Sequence, residues 1–130
     1  MSQDPQLISI IDDDGSVRTA TYNLVRSLGY IVHTFESAGD FLRSPHLNDT
    51  SCVITDVQMP AMSGLELHAH LLAEGYRLPF IFITAFSAEN ARAQALKAGA
   101  RCFLTKPFAA EALIDCLEIA LREHGGRERE

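Results

Sequence analysis

The feature that most restricts this chain is a series of short, almost uninterrupted apolar runs, each separated from the next by a helix-length stretch. Residues 7–11, 52–55, 80–83 and 102–104 read as strands covered on both faces, as in the middle of a parallel sheet. Residues 31–35 mix His33 and Thr34 with apolar neighbours and read as an edge strand. Helical spacing fills the gaps. Val17, Ala20, Leu24, Val25 and Leu28 form one apolar stripe, Leu65, Leu67, Leu71 and Leu72 another, and Leu113, Leu117, Ile119, Ala120 and Leu121 a last one. Ser63 to Glu66 and Ser37 to Asp40 match the capping-box spacing, in which side chains satisfy amides of the first turn. Gly29, Gly75 and Gly99 stand where helices should stop, and Pro45 and Pro79 mark loops leading into strands. Alternating strands and helices with right-handed crossovers predict an α/β fold with a doubly wound parallel sheet.

A length of 130 residues suits one compact domain, set here as residues 1–123. Residues 124–130 lack apolar side chains and read as a tail or the start of an interdomain linker. A net charge of -6 argues against direct binding to a nucleic-acid backbone. No segment has the length and apolarity to span a bilayer, and the first residues lack a signal-peptide layout, so the expected location is cytoplasmic. Cys52, Cys102 and Cys116 are odd in number and lie in apolar runs, which predicts reduced, buried thiols and no disulfide framework.

Position along the strands carries the chemistry. Asp12 and Asp13 follow the first strand, Asp56 the third, Thr84 ends the fourth, and Lys106 follows the fifth. In a doubly wound sheet the carboxyl ends of the strands share one edge, where ligands bind. Four strands therefore deliver carboxylates, a hydroxyl and an ammonium to one crevice. Clustered carboxylates repel, so a hard divalent cation is the expected partner: Mg²⁺, with Mn²⁺ as a substitute. A carboxylate can attack phosphorus to give an aspartyl phosphate, Lys106 can offset charge on the transferring group, and Thr84 can donate to a phosphoryl oxygen.

Ile10-Ile-Asp-Asp-Asp14, Thr55-Asp-Val-Gln-Met-Pro60 followed by Ser63-Gly-Leu-Glu66, Thr84-Ala85 and Lys106-Pro107-Phe108 stand in one order along residues 6–123. Together they resemble the response regulator receiver (CheY-like) family of two-component systems, in particular the FixJ-type receivers of LuxR-family regulators. The resemblance implies a flavodoxin-like (βα)5 sheet of order 2-1-3-4-5. It implies phosphorylation of Asp56 by a sensor histidine kinase, and Mg²⁺ held by Asp13, Asp56 and the backbone carbonyl of Gln58, with Asp12 acting through water. Lys106 and Thr84 would bind the phosphoryl group, and the Lys106–Pro107 bond would be cis. Thr84 and Phe103 would be the pair that rearranges. Phe103 stands where many relatives carry Tyr, so any rearrangement works through ring packing. Gln58 and Phe86 flank the site at positions that tune phosphoryl lifetime. Homodimerisation through the face of the fourth helix, fifth strand and fifth helix, driving a transcriptional output domain, is the further implication. Self-catalysed phosphoryl transfer and hydrolysis do not make such a chain a conventional enzyme.

Taken singly, these residues are weak signals. One aspartate of the 12–14 triple could merely cap a helix, Thr84 could merely end a strand, and Lys106 could be a solvated charge. Their convergence makes the case. His68 and His70 lie two apart on a helix and point to different sides, while His33, His46 and His124 have no partners at ligand spacing. The Ala-rich stretch 91–100 reads as a helix with little bulk to hold it, hence the most easily shifted one. A metal-dependent phosphatase would use the Asp12 and Asp14 spacing but leaves Asp56 unexplained. A stand-alone receiver that acts by protein binding, or a receiver-like module that is never phosphorylated, remain the alternatives.

Overall fold

A computed structural model describes residues 6–84, 93, 96, 97, 99, 100, 102–106 and 108–128. Phe86, the Lys106–Pro107 peptide and residues 91, 92, 94, 95 and 98 of the Ala-rich stretch lie outside the described residues. Five strands, β1 (Leu7–Ile11), β2 (Ile31–Phe35), β3 (Thr50–Asp56), β4 (Phe80–Thr84) and β5 (Cys102–Thr105), form one sheet of order β2-β1-β3-β4-β5. Every pairing is parallel. This is the doubly wound, flavodoxin-like order expected, with β2 at an edge as the His33 and Thr34 pattern predicts. The fifth strand occupies the other edge, as the order implied by the resemblance requires, and not the fully covered position that its apolar run suggests: Phe103 is buried, while Cys102 and Leu104 are half-buried. Local hydrophobicity reports the covering of a strand, not the number of its neighbours.

Side chains alternate across the sheet with the two-residue strand period. Ile8, Ile10, Cys52, Ile54, Ile81 and Ile83 point to one face, beneath α1 (Gly15–Ser27) and the C-terminal helix (Ala110–Glu128). Ile11, Val53, Phe80, Phe82 and Phe103 point to the other, beneath α2 (Ala38–Leu42), a 3-10 turn (Pro45–Asp49) and α3 (Gly64–Ala73). Residues of both faces are removed from water almost completely, each large side chain contributing about 1.5–3 kcal/mol of hydrophobic stabilisation.

The stripes are narrower than the sequence suggests. On α1, Thr21 shares the buried seat with Val25 because its hydroxyl donates back to the Val17 carbonyl at 2.9 Å, whereas Ala20 and Leu28 are exposed. Leu72 and Ile119 are also exposed, and His68 takes a core position beside Leu67 and Leu71. The helix ends behave largely as anticipated. Ser63 and Glu66 form a reciprocal capping box. Ser37 caps α2 in one direction only, since Asp40 turns instead to Arg43 at 2.8 Å. Gly29, Gly75 and Gly99 all adopt φ near 100°, the left-handed conformation glycine reaches without a Cβ penalty. The C-terminal helix runs on through the polar residues after Glu123. Among the described residues no helix is long and apolar enough to cross a membrane.

The cysteines overturn one expectation. Cys102 and Cys116 form a disulfide that joins β5 to the C-terminal helix, with α-carbons 5.9 Å apart. Only Cys52 is the buried free thiol predicted. Cysteines within apolar runs look like any small hydrophobe, and sequence spacing says nothing about a strand and a later helix lying face to face.

Candidate functional site: an acidic crevice at the carboxyl edge of the sheet

The strand order reverses at β1, whose neighbours β2 and β3 run away on opposite sides. Asp12 follows β1 there, and its amide donates to the Phe35 carbonyl of β2 at 3.1 Å. Asp56 ends the adjacent β3. Carboxylate oxygens of Asp12, Asp13 and Asp56 all lie within 4.8 Å of one another. Asp14 takes the structural role that one member of the triple could have had. Its carboxylate caps α1 by accepting from the amides of Ser16 and Val17 at 3.0 and 3.3 Å. The Ser16 hydroxyl first, and then these two amides, hold its carboxyl below the ordinary range. The cap thus uses one aspartate and leaves the other two for the crevice.

Lys106 reaches in from the end of β5. Its Nζ lies 3.5 Å from Asp12 Oδ2 and 3.5 Å from Asp56 Oδ2, so one ammonium bridges the carboxylates of two strands. Its own amide donates to the Thr84 carbonyl at 2.7 Å, which ties the approach of Lys106 to the end of β4. On the other side of Asp56, the Gln58 amide donates to Oδ1 at 3.2 Å. The Asp12 carboxyl is pushed upward by burial. The Asp14 amide and Lys106 pull it back, and the negative charges of Asp56 and Asp13 add to the rise. One ammonium shared between clustered carboxylates is incomplete compensation. An oxygen-rich, net-negative cluster of this kind fits a hard divalent cation, which would supply the missing positive charge.

Two supports were not foreseen. Arg18, on the first turns of α1, donates from Nη1 to the backbone carbonyl of Asp12 at 2.7 Å and pairs with Glu36 at 3.7 Å. Asp12 is thereby held at both its amide and its carbonyl. A basic residue six positions after a strand-end aspartate was the only signal in the sequence. Gly64, first residue of α3, donates to the Val57 carbonyl at 2.8 Å and packs directly on the backbone of Asp56.

Phe103 lies under the sheet with its ring 6.3 Å from that of Phe82, next to Phe80. His68 packs on the same aromatic group, 4.5 Å from the Phe80 ring, and burial lowers its basicity. His70 is exposed, so the two histidines do point to different sides. His33 and His46 do meet, contrary to the expectation from spacing. Their rings stack at 3.8 Å, far along the chain from each other but adjacent where the 3-10 turn covers β2. Parallel stacking directs ring nitrogens outward in the ring planes, an unsuitable arrangement for sharing one metal.

Residues 8–118 match the family model described as response regulator receiver domain. The chain is 41% identical over 122 residues to the response regulator protein TodT of Pseudomonas putida, covering 94% of this chain and 54% of that protein. It is 39% identical over 126 residues to the transcriptional regulatory protein TdiR of Thauera aromatica, covering 95% and 56%. Among solved structures, that of the response regulator StyR superposes with a TM-score of 0.89 at 39% identity, covering 97% of this chain and 64% of that one. The structure of FixJ-N superposes with a TM-score of 0.82 at 31% identity, covering 93% and 96%. The chain spans about half the length of the curated relatives it matches.

Proposed function

The chain belongs to the response regulator receiver family of two-component systems, and from that premise we propose that it is a phosphorylation-dependent switch whose acceptor is Asp56. The observation that carries the reading is the single ammonium of Lys106 set 3.5 Å from carboxylates of both Asp12 and Asp56. A phosphoryl group on Asp56 would bring oxygens to the place where positive charge is already aimed.

The donor would be a phosphohistidine of a sensor kinase. A carboxylate oxygen of Asp56 bonds to phosphorus as the bond from phosphorus to the histidine nitrogen breaks, and the imidazole leaves with a proton. Asp13, Asp56 and the Gln58 carbonyl, with Asp12 through water, would hold Mg²⁺ or Mn²⁺, which spreads charge on the transferring group. Lys106 stays beside the phosphoryl oxygens and offsets their charge. Thr84 donates its hydroxyl to one of them, and the Phe103 ring repacks as Thr84 moves. Gln58 and Phe86, two residues in sequence beyond Asp56 and Thr84, would govern access of water to the aspartyl phosphate. The switch is not a turnover enzyme in this reading, because the phosphoryl group is the signal.

Only contacts that differ between two states can shift their balance, and the contacts of Thr84 and Lys106 to the phosphoryl group supply that difference. The output is homodimerisation through β5, the C-terminal helix and the helix before β5, controlling transcription through a second domain. Exposed Leu96 and Ile119 support an apolar contact there, and names such as transcriptional regulatory protein among the relatives support the output. Location in the cytoplasm, where sensor kinases present their phosphohistidines, belongs to the same reading.

Intact mass after incubation with acetyl phosphate tests it. One phosphoryl adduct, dependent on Mg²⁺ and lost in Asp56→Asn, is expected. A folded protein that binds Mg²⁺ but gains no adduct, from acetyl phosphate or from a phosphorylated histidine kinase, would reject the switch in favour of an unphosphorylated interaction module.

A further inference from the structure

We propose that Cys102 and Cys116 form a reversible thiol–disulfide site, with dithiols as its reaction partners, that tethers the segment delivering Lys106. The pair lies outside the acidic crevice. Cys102 opens β5 and Cys116 lies in the C-terminal helix, separated by 14 residues in sequence. Lys106 falls inside the loop that the disulfide closes, so the oxidised chain is fixed at both ends of the stretch that carries this ammonium to Asp12 and Asp56.

Three observations argue for exchange and against a permanent staple. The first is access. β5 is an edge strand with β4 as its neighbour on one side, and Cys102 is half-buried, whereas Cys116 is buried among Leu113, Leu117 and Ala120. Cys102 is thus the more exposed partner and the one through which an attacking thiolate enters in this proposal. The second is the absence of a competitor: Cys52 lies in the same apolar cluster, but burial pushes its thiol up to about 12, so it stays protonated and does not reshuffle the pair. The third is chemical context. The inference takes the cytoplasmic location from the proposed function, and disulfides in reducing compartments are mostly transient, catalytic or redox-sensing.

The exchange balances without further reagents. A dithiol thiolate attacks Cys102 Sγ, the bond to Cys116 Sγ breaks, and Cys116 leaves as a thiolate that takes a proton. The second thiol of the partner then displaces Cys102, which is released as a thiol while the partner departs as a disulfide. Two electrons pass from the partner to the protein, and the reverse reaction with an oxidised partner restores the tether.

The test uses the full chain, with dithiothreitol as reductant and glutathione disulfide as oxidant. When the folded protein is treated, quenched and then denatured for counting, it should give one thiol in the oxidised form and three in the reduced form, the two interconverting without denaturant during treatment. Oxidised Cys52→Ser should show none, and Cys102→Ser or Cys116→Ser should show two. Hydrogen exchange should be about tenfold slower across the tethered segment in the oxidised form, because local opening there must then carry the cross-link. Three thiols retained under glutathione disulfide, or a disulfide opened only after unfolding, would overturn the site. Equal exchange in both forms would overturn the tether. Neither readout involves Asp56, so a failure of phosphorylation is recognised separately by the missing adduct.

Discussion

The α-carbon of Gly64 stands against the backbone carbonyl of Asp56 with no room between them for a methyl group. Helix α3 can begin at this point only because its first residue has no side chain. The closeness lets the Gly64 amide reach the Val57 carbonyl and fixes the main chain on which the Asp56 carboxylate is mounted. Gly64→Ala should therefore lower stability by about 1–3 kcal/mol, the usual cost of overpacking a rigid site. Urea unfolding measures that loss, and adduct formation at Asp56 should slow alongside it. A Gly64→Ala protein as stable as the parent would show that α3 can retreat freely.

Arg18 holds the carbonyl of Asp12 by a hydrogen bond of 2.7 Å. In Arg18→Ala the affinity for Mg²⁺ should fall about tenfold, as for other outer supports of metal ligands. Arg18→Lys should recover only part of it, because one ammonium replaces a planar fork that serves both Asp12 and Glu36. Calorimetric titration with Mg²⁺ decides, and an unchanged affinity in Arg18→Ala would remove this residue from the site.

Asp12 gives a pH dependence of definite sign. Its carboxyl is raised by burial, so the folded state binds that proton more tightly than the unfolded chain does. Stability is accordingly lost as pH rises from the ordinary aspartate range, about 4, through the raised value, and the deficit persists above it. In metal-free buffer at neutral pH, Asp12→Asn should unfold at higher urea than the parent. The advantage should vanish below about pH 4, where Asp12 is protonated in both states. The same variant should bind Mg²⁺ more weakly. A variant less stable than the parent at neutral pH would mean that the Lys106 contact outweighs the burial.

The thiol of Cys52 should be inert in the folded, oxidised protein. It is fully buried, and its pKa of about 12 leaves almost no thiolate at pH 8. Iodoacetamide should label this residue only after unfolding, as mass spectrometry of digested protein would reveal. Labelling under native conditions would expose frequent opening of the sheet between β1 and β3.

Much of this architecture was legible because period and position are written locally. Runs such as residues 80–83 announce a covered strand, and Ser63 with Glu66 announces a helix start. The placement of Asp12, Asp56 and Lys106 after successive strands announces a shared edge. What escaped were relations between segments. The apolar run around Cys102 hides the edge position that the family order implies, and nothing near it tells that Cys116 will lie across from it. His33 and His46 stack because the 3-10 turn folds over β2, a contact that no spacing rule contains. Arg18 and Gly64 act on backbone atoms, which makes their partners invisible in a list of side chains. Burial of His68 follows from the aromatic floor of Phe80 and Phe82, which a helical wheel of α3 alone does not show.

The crevice draws on residues from Asp12 to Lys106, and every pairing that assembles it joins separate stretches of chain. During synthesis, an incomplete chain holding Asp56 would lack both the ammonium and the fourth and fifth strands that set it in place. Such parallel pairing forms late, since distant segments must first be brought together. The crevice is therefore complete only once the chain through Lys106 has been made and folded, and a copy broken before that residue lacks the ammonium that bridges Asp12 and Asp56.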